Sequence, residues 1–272
     1  MVFTTANIEM GRMSNLATAT KIALIMEYDG THYYGFQLQS NRPTIQGEIE
    51  KALWRLTGEK VRVMASSRTD TGVHAKGQVV SFRTRSYLSS QTFLKGLNYY
   101  LPKDIAVKKA HRVADSFNVR REAVSREYSY HILNSSTPSP IREGFSYRVA
   151  GCLDIISMNR ACQALVGEHD FASFANSLGK EIKSTVRRVY SAGVEKDGEL
   201  IVFSILANAF LRHQVRSTAG TLVRVGLGKM SIDEFQEIVE AREPGLAGPT
   251  LPARGLCLIK VNYPCPLGEQ LR

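Results

Sequence analysis

Apolar positions along the chain switch between a period of two and a helical period, and the switches mark out its elements. From Lys21 to Tyr28, Ile22, Leu24, Met26 and Tyr28 form one strongly apolar set, the signature of a strand with a buried face. After Pro43, the residues Ile45, Ile49, Ala52, Leu53 and Leu56 fall on one side of a helix that Gly58 closes. Apolar runs from Val61 to Ala65 and from Val79 to Phe82 predict two strands around a tight loop. Ser89 or Ser90 caps a second helix, with Phe93, Leu97 and Leu101 inward and Pro102 as its stop. Ile105 to Val113 predicts another strand.

The second half follows a similar order without repeating the sequence. Ser125 to Leu133 alternates Tyr128, Tyr130 and Ile132 against Glu127, Ser129 and His131, a strand. Asn134 to Pro140, rich in Asn, Ser, Thr and Pro, is a loop. Asp154 caps a helix with Met158, Ala161, Cys162 and Leu165 on one face, closed by Gly167. Thr185 to Val194 and Leu200 to Ala207 pair as a hairpin across Lys196-Asp197-Gly198. The second of these strands, apolar on both faces, belongs inside its sheet. Phe210 to Gly226 predicts a helix, with Arg212 and Arg216 one turn apart on one line. Ser231 to Glu234 is a capping box opening a short helix, and Leu256 to Val261 is a last strand. The expected fold class is α+β. Two similar α/β units join in one mostly antiparallel sheet, with helices on one face and an active-site cleft on the other. Residues 1–20 are expected to be a flexible tail, 21–115 the N-terminal unit, 116–263 the C-terminal unit, and 264–272 a second, frayed tail.

Charge changes the picture. Lys and Arg number 35 against 25 Asp and Glu, a net +10. That surplus favours a polyanionic partner, because nucleic-acid affinity rests mainly on phosphate neutralisation. Arg112, Arg120, Arg121 and Arg126 cluster near the junction of the halves, and Lys108-Lys109, Lys180, Lys183 and Arg187-Arg188 add to them. Lining one groove, several of these would form an RNA track. The four cysteines, Cys152, Cys162, Cys257 and Cys265, show no metal-ligand spacing, so no metal site is expected and a reducing cytoplasm is. Residues 1–20 lack the continuous apolar core of a signal peptide, and no apolar stretch is long enough to span a bilayer.

The candidate chemistry lies in Arg68-Thr69-Asp70-Thr71-Gly72-Val73-His74, between two predicted strands. Loops held by a rigid sheet often carry function. A positive charge near Asp70 would keep it ionised, as a nucleophile or base must be. Asp-Thr-Gly equally suits an ordinary turn. It also matches the aspartic-protease triplet, but that chemistry needs two carboxylates sharing a proton. Here the triplet occurs once, two residues after an arginine that opposes the shared-proton state.

Five motifs in order resemble the tRNA pseudouridine synthase A family. They are the Asp70 loop; Tyr28-Asp29-Gly30 with Tyr34-Gly35-Phe36-Gln37-Leu38-Gln39; Arg126-Glu127-Tyr128-Ser129-Tyr130; Asn208 through Arg216; and Pro252-Ala253-Arg254-Gly255-Leu256. The resemblance spans about Lys21 to Tyr263. It implies the pseudouridine synthase fold and an isomerase. Such an enzyme detaches uracil from C1′ of a tRNA uridine, turns it and rejoins it through C5, without cofactor or metal. It implies tRNA as partner, positions 38, 39 and 40 of the anticodon arm as targets, and a cytoplasmic homodimer. Asp70 matches the family's essential aspartate, adding to either sugar or base. Arg68 and Arg216 match arginines around it, and Tyr128 a tyrosine that packs on the target base and helps take the C5 proton. Leu256 matches a residue lining the base pocket, with Arg212 and Arg126 as further substrate-binding candidates. Ser67 and Thr71 stand where relatives commonly have glycine and alanine. The alternative is a non-catalytic RNA-binding protein on the same fold.

Overall fold

The computed structural model describes residues 19–175 and 183–268. Lys180 and most of the expected N-terminal tail lie outside the described residues. The chain runs β1 (Thr20–Tyr28), α1 (Ile45–Thr57), β2 (Met64–Ala65), β3 (His74–Thr84), α2 (Ser90–Tyr100), β4 (Ile105–Val113), β5 (Ser125–Asn134) and β6 (Tyr147–Val149). It continues through α3 (Ile155–Gln163), β7 (Gly167–Asp170), β8 (Val186–Asp197), β9 (Leu200–Ala207), α4 (Gln214–Gly226), α5 (Ile232–Ala241) and β10 (Leu256–Asn262). The helices start where short polar side chains can take the first free N–H groups. Thr44 accepts from Gly47, Ser89 from Thr92 and Asp154 from Ser157. Ser231 and Glu234 complete the expected capping box.

The ten strands of the described residues join one sheet, in the order β4-β1-β3-β10-β5-β9-β8-β7, with β2 beside β3 and β6 beside β5. Among the described residues, only β10 with β3 and β6 with β5 run parallel. The class is therefore α+β with a mostly antiparallel sheet, and β9 sits inside it between β5 and β8. β3 comes from the first half and β10 from the very end of the second, and their parallel pairing closes the sheet at its centre.

Register decides which side chains share a face. Ile22 lies opposite Phe82, Leu24 opposite Val80, Tyr128 opposite Leu258 and Ile205, and Tyr130 opposite Leu256 and Phe203. These residues are buried in one core. Phe82 meets Phe93 of α2 edge-on at 5.7 Å, which puts the helices on this side. α2 packs on β4 and α3 on β8, near the two ends of the sheet. By register Tyr128 stands in line with Leu258, Ala75 and Tyr28 across the centre of the sheet.

Two strands differ from expectation. Val61 to Val63 is no strand, because Val63 finds its partners on α1. Glu50 accepts from its N–H and Gln46 donates to its carbonyl. β7 begins at Gly167, which was expected to end a helix; its φ of +118° suits glycine. The C-terminal tail is not frayed as far as it is described. Leu267 is buried and the Gly268 backbone packs beside His111.

Candidate active site

Asp70 is held by its neighbours' backbone and by two strands. Gln78 of β3, fully buried, accepts from the Ser66 hydroxyl at 2.8 Å and donates to the Ser67 carbonyl at 2.8 Å. The Tyr28 hydroxyl lies 2.8 Å from Thr69 Oγ1. Phe36 N–H donates to the Thr69 carbonyl, and Val73 N–H to the Asp70 carbonyl, closing the turn. Gly72 takes φ +77° within that turn. Gly35, at φ +83°, lets the 33–36 segment lie against the loop, since a Cβ there would stand 2.7 Å from the Thr69 carbonyl oxygen. The Asp70 carboxylate is left partly exposed at the mouth of a cavity of about 860 Å³.

Two cationic or potentially cationic groups reach the same carboxylate oxygen. His213 Nε2 lies 3.4 Å from Asp70 Oδ2, and Arg216 Nη1 lies 3.9 Å from it. Arg216 is anchored by a 2.6 Å hydrogen bond from Nε to the Leu251 carbonyl. Burial pulls the Arg216 guanidinium down, opposed by Asp70 and the Tyr130 phenol; an arginine still keeps its charge. Burial also pulls His213 below its ordinary value; Asp70 opposes this, while Arg216 and Arg212 reinforce it. His213 is therefore a neutral imidazole at pH 7.

The helix expected from Phe210 begins only at Gln214. His213 adopts the left-handed conformation, φ +64°, and breaks any helix running through it. The Gln214 side chain instead accepts from Leu211 N–H at 2.8 Å. Arg212 consequently lies in the preceding turn, exposed at the cavity rim, and not on the line of Arg216. Phe210 turns inward and meets Tyr128 edge-on, centroids 5.2 Å apart. The Tyr128 phenol is pushed up by burial and then by the Tyr28 phenol and the Asp70 carboxylate, opposed by a Ser67 hydrogen bond and Arg126. It stays protonated. Leu256, buried at the start of β10, lines the same cavity.

The remaining expected residues divide. Arg68 lines the cavity with its side chain exposed and makes no ion pair with Asp70. Arg126 is buried and donates inward, to the carbonyls of Ala123, Asn208, Ser66 and Arg120. Those bonds stitch the cavity wall together. Arg120, Lys183 and Arg187 also line the cavity, so among the described residues six Lys or Arg line it beside one acid, Asp70. Lys108 lies elsewhere, beside a second cavity and paired with Glu27. His213 was not among the expected site residues, although it stands between Arg212 and Arg216 in a quoted motif. Its backbone conformation leaves no mark on the sequence.

Residues 24–120 and 161–264 match the model of the tRNA pseudouridine synthase family. This chain belongs to that family. The tRNA pseudouridine synthase A of Acetivibrio thermocellus is 43% identical over 242 residues, 89% of this chain and 99% of that one. Those of Geotalea uraniireducens and Geobacter sulfurreducens are 44% and 43% identical, each over 89% of this chain and 99% of theirs. The synthase is thus an isomerase that turns uridine into pseudouridine in tRNA. The matched segments carry the cavity residues named above except Arg126 and Tyr128, which lie between them.

Proposed function

We propose that this synthase isomerises uridines of the tRNA anticodon stem-loop, at positions 38, 39 and 40, with Asp70 as the nucleophile. One observation carries the reading: a carboxylate bracketed by Arg216 and a neutral His213 stands beside Tyr128 in an otherwise basic cavity. In the reaction the C1′–N1 bond breaks and a C1′–C5 bond forms. C5 gives up its proton and N1 takes one, so the product is an isomer. Addition of Asp70 to the sugar or to the base both require an ionised oxygen without a protein partner. Asp70 Oδ1 makes no hydrogen bond or ion pair with any described residue.

The target base leaves its stack before C1′ is accessible. Tyr128 and Leu256 form the flat and apolar walls that receive it. A phenol pushed up by burial is a poor base, so Tyr128 serves by packing. Arg68 and Arg212, exposed at the mouth, hold phosphates or replace a lost stacking neighbour. Arg126 supports the wall. A cytoplasmic homodimer with the RNA crossing both subunits completes the proposal.

Tritium release from tRNA carrying uridine labelled at C5 tests it, with wild type beside Asp70→Ala. Release by wild type alone supports the nucleophile, and sequencing the product places the sites. Tight tRNA binding with no release from either protein would favour a non-catalytic RNA binder.

A further inference from the structure

We propose that His213 is a positioning residue that turns the Asp70 carboxylate so that Oδ1 is the attacking oxygen. The inference rests on Asp70 being the nucleophile. Three observations carry it. His213 Nε2 and Arg216 Nη1 approach the same oxygen, Oδ2, from 3.4 and 3.9 Å. The other oxygen is left without a partner among the described residues, on a side chain that lines the cavity. And His213 holds φ +64°, a conformation glycine adopts freely and a side-chain-bearing residue adopts at a cost. Backbone strain of this kind persists where the surrounding structure enforces it, and clusters at active sites.

The chemistry follows from the protonation state. A neutral imidazole facing a carboxylate presents its Nε2–H, since a bare lone pair there would repel the oxygen. At 3.4 Å that contact is long for a hydrogen bond, as catalytic contacts often are before substrate binds. It shortens when the base fills the cavity and displaces water from Asp70. Arg216 alone could not fix the carboxylate's rotation. Its Nε is committed to the Leu251 carbonyl, and its Nη1 lies at the outer limit of an ion pair. A second group on Oδ2 sets the plane of the carboxylate, and with it the direction of Oδ1. Rotation away from the reacting carbon is costly, because a misplacement of about 1 Å can slow a reaction about 100-fold.

Single-turnover tritium release, tRNA affinity and melting temperature should be measured for His213→Gly, His213→Asn and Asp70→Ala. Glycine accepts the backbone conformation and has no donor. Asparagine also tolerates it and keeps an N–H donor. His213→Gly should release tritium about 10–100-fold more slowly, with tRNA affinity and melting temperature unchanged. His213→Asn should recover most of the rate. A His213→Gly enzyme as fast as wild type would overturn the proposal, as would His213→Asn as slow as His213→Gly. So would a loss confined to tRNA affinity. Should the glycine variant melt early, the two rates are compared at a temperature where both variants are fully folded. If Asp70→Ala is inactive while both His213 variants match wild type, this inference falls and the nucleophile stands. If Asp70→Ala keeps its activity, the underlying reading falls instead.

Discussion

The Tyr28 hydroxyl and Thr69 Oγ1 lie 2.8 Å apart in the core, joining the last residue of β1 to the residue before Asp70. Gln78 Nε2 donates to the same hydroxyl at 3.3 Å. Tyr28→Phe keeps the ring and leaves two buried polar groups short of a partner. The expected loss is about 1–3 kcal/mol, measured by denaturant unfolding. Single-turnover tritium release should slow as well, while tRNA affinity holds, because the loop that carries Asp70 loses a tether. An unchanged rate would mean that Gln78 and the Phe36–Thr69 backbone bond suffice to hold the loop.

Two glycines with almost the same backbone angle should respond differently to alanine. Gly35 has φ +83° and would set a Cβ 2.7 Å from the Thr69 carbonyl oxygen. Gly58, closing α1, has φ +75° and open space around it. Gly58→Ala should cost about 1–2 kcal/mol from the left-handed conformation alone. Gly35→Ala adds a clash with backbone that cannot yield cheaply, so about 2–4 kcal/mol is expected. Only Gly35→Ala should also reduce turnover. Equal melting temperatures for the two variants would show that the 33–36 segment moves aside.

Where local chemistry decides an element, the sequence shows it. Ser89, Asp154 and Ser231 start their helices as their side chains predict, and the alternation over Ser125 to Leu133 lies in β5. Where a distant group decides, it does not. Val61 to Val63 has strand composition, yet Gln46 and Glu50 of α1 take Val63's backbone groups. The helix after Phe210 starts late because of one left-handed residue, and that displaced Arg212 from the line of Arg216. The joining of the two halves into one sheet depends on β10 pairing with β3 across the length of the chain. Asp70, Arg216, Tyr128 and Leu256 could be picked out from motifs and do meet in one place. That Arg126 spends its donors on carbonyls, and that His213 meets Asp70, follows only from packing.

Arg126 and Arg212 should separate structure from binding. Arg126→Ala removes a buried guanidinium that serves four carbonyls. Stability should fall by about 1–3 kcal/mol, the range for leaving buried acceptors without a partner. Arg212→Ala touches an exposed side chain at the cavity rim, so its melting temperature should stay at the wild-type value. Its tRNA affinity should drop, and the slope of log affinity against log salt should become shallower by about 1 if it contacts a phosphate. Equal salt slopes for Arg212→Ala and wild type would place that side chain away from the RNA backbone.

Acid should destabilise the synthase in two steps, the first above the carboxylate range. His111, His131 and His213 all lie below the ordinary 6.5, each chiefly because burial disfavours the charged ring. Lys109 reinforces this at His111. At His131, Lys76 and His74 reinforce it against a bond to the Gly255 backbone. The unfolded chain therefore takes up protons near pH 6.5 that the folded protein refuses until lower pH. By linkage the stability is complete above 6.5 and declines as pH falls below it. The Asp29 carboxyl lies below its ordinary 3.8. Burial there acts upward, but Thr31's bonds and the nearby His74 and His32 outweigh it. Its contribution is present above 3.8 and is lost only as pH falls through the lower folded value. Melting temperature should thus fall between pH 6.5 and 5, while carboxylates are still ionised, and fall again below pH 4. His131→Gln, whose amide can keep a bond to the Gly255 backbone without titrating, should flatten the first step and leave the second. A wild-type curve level from pH 7 to 5 would mean these imidazoles gain water or partners enough to titrate as they do in the unfolded chain.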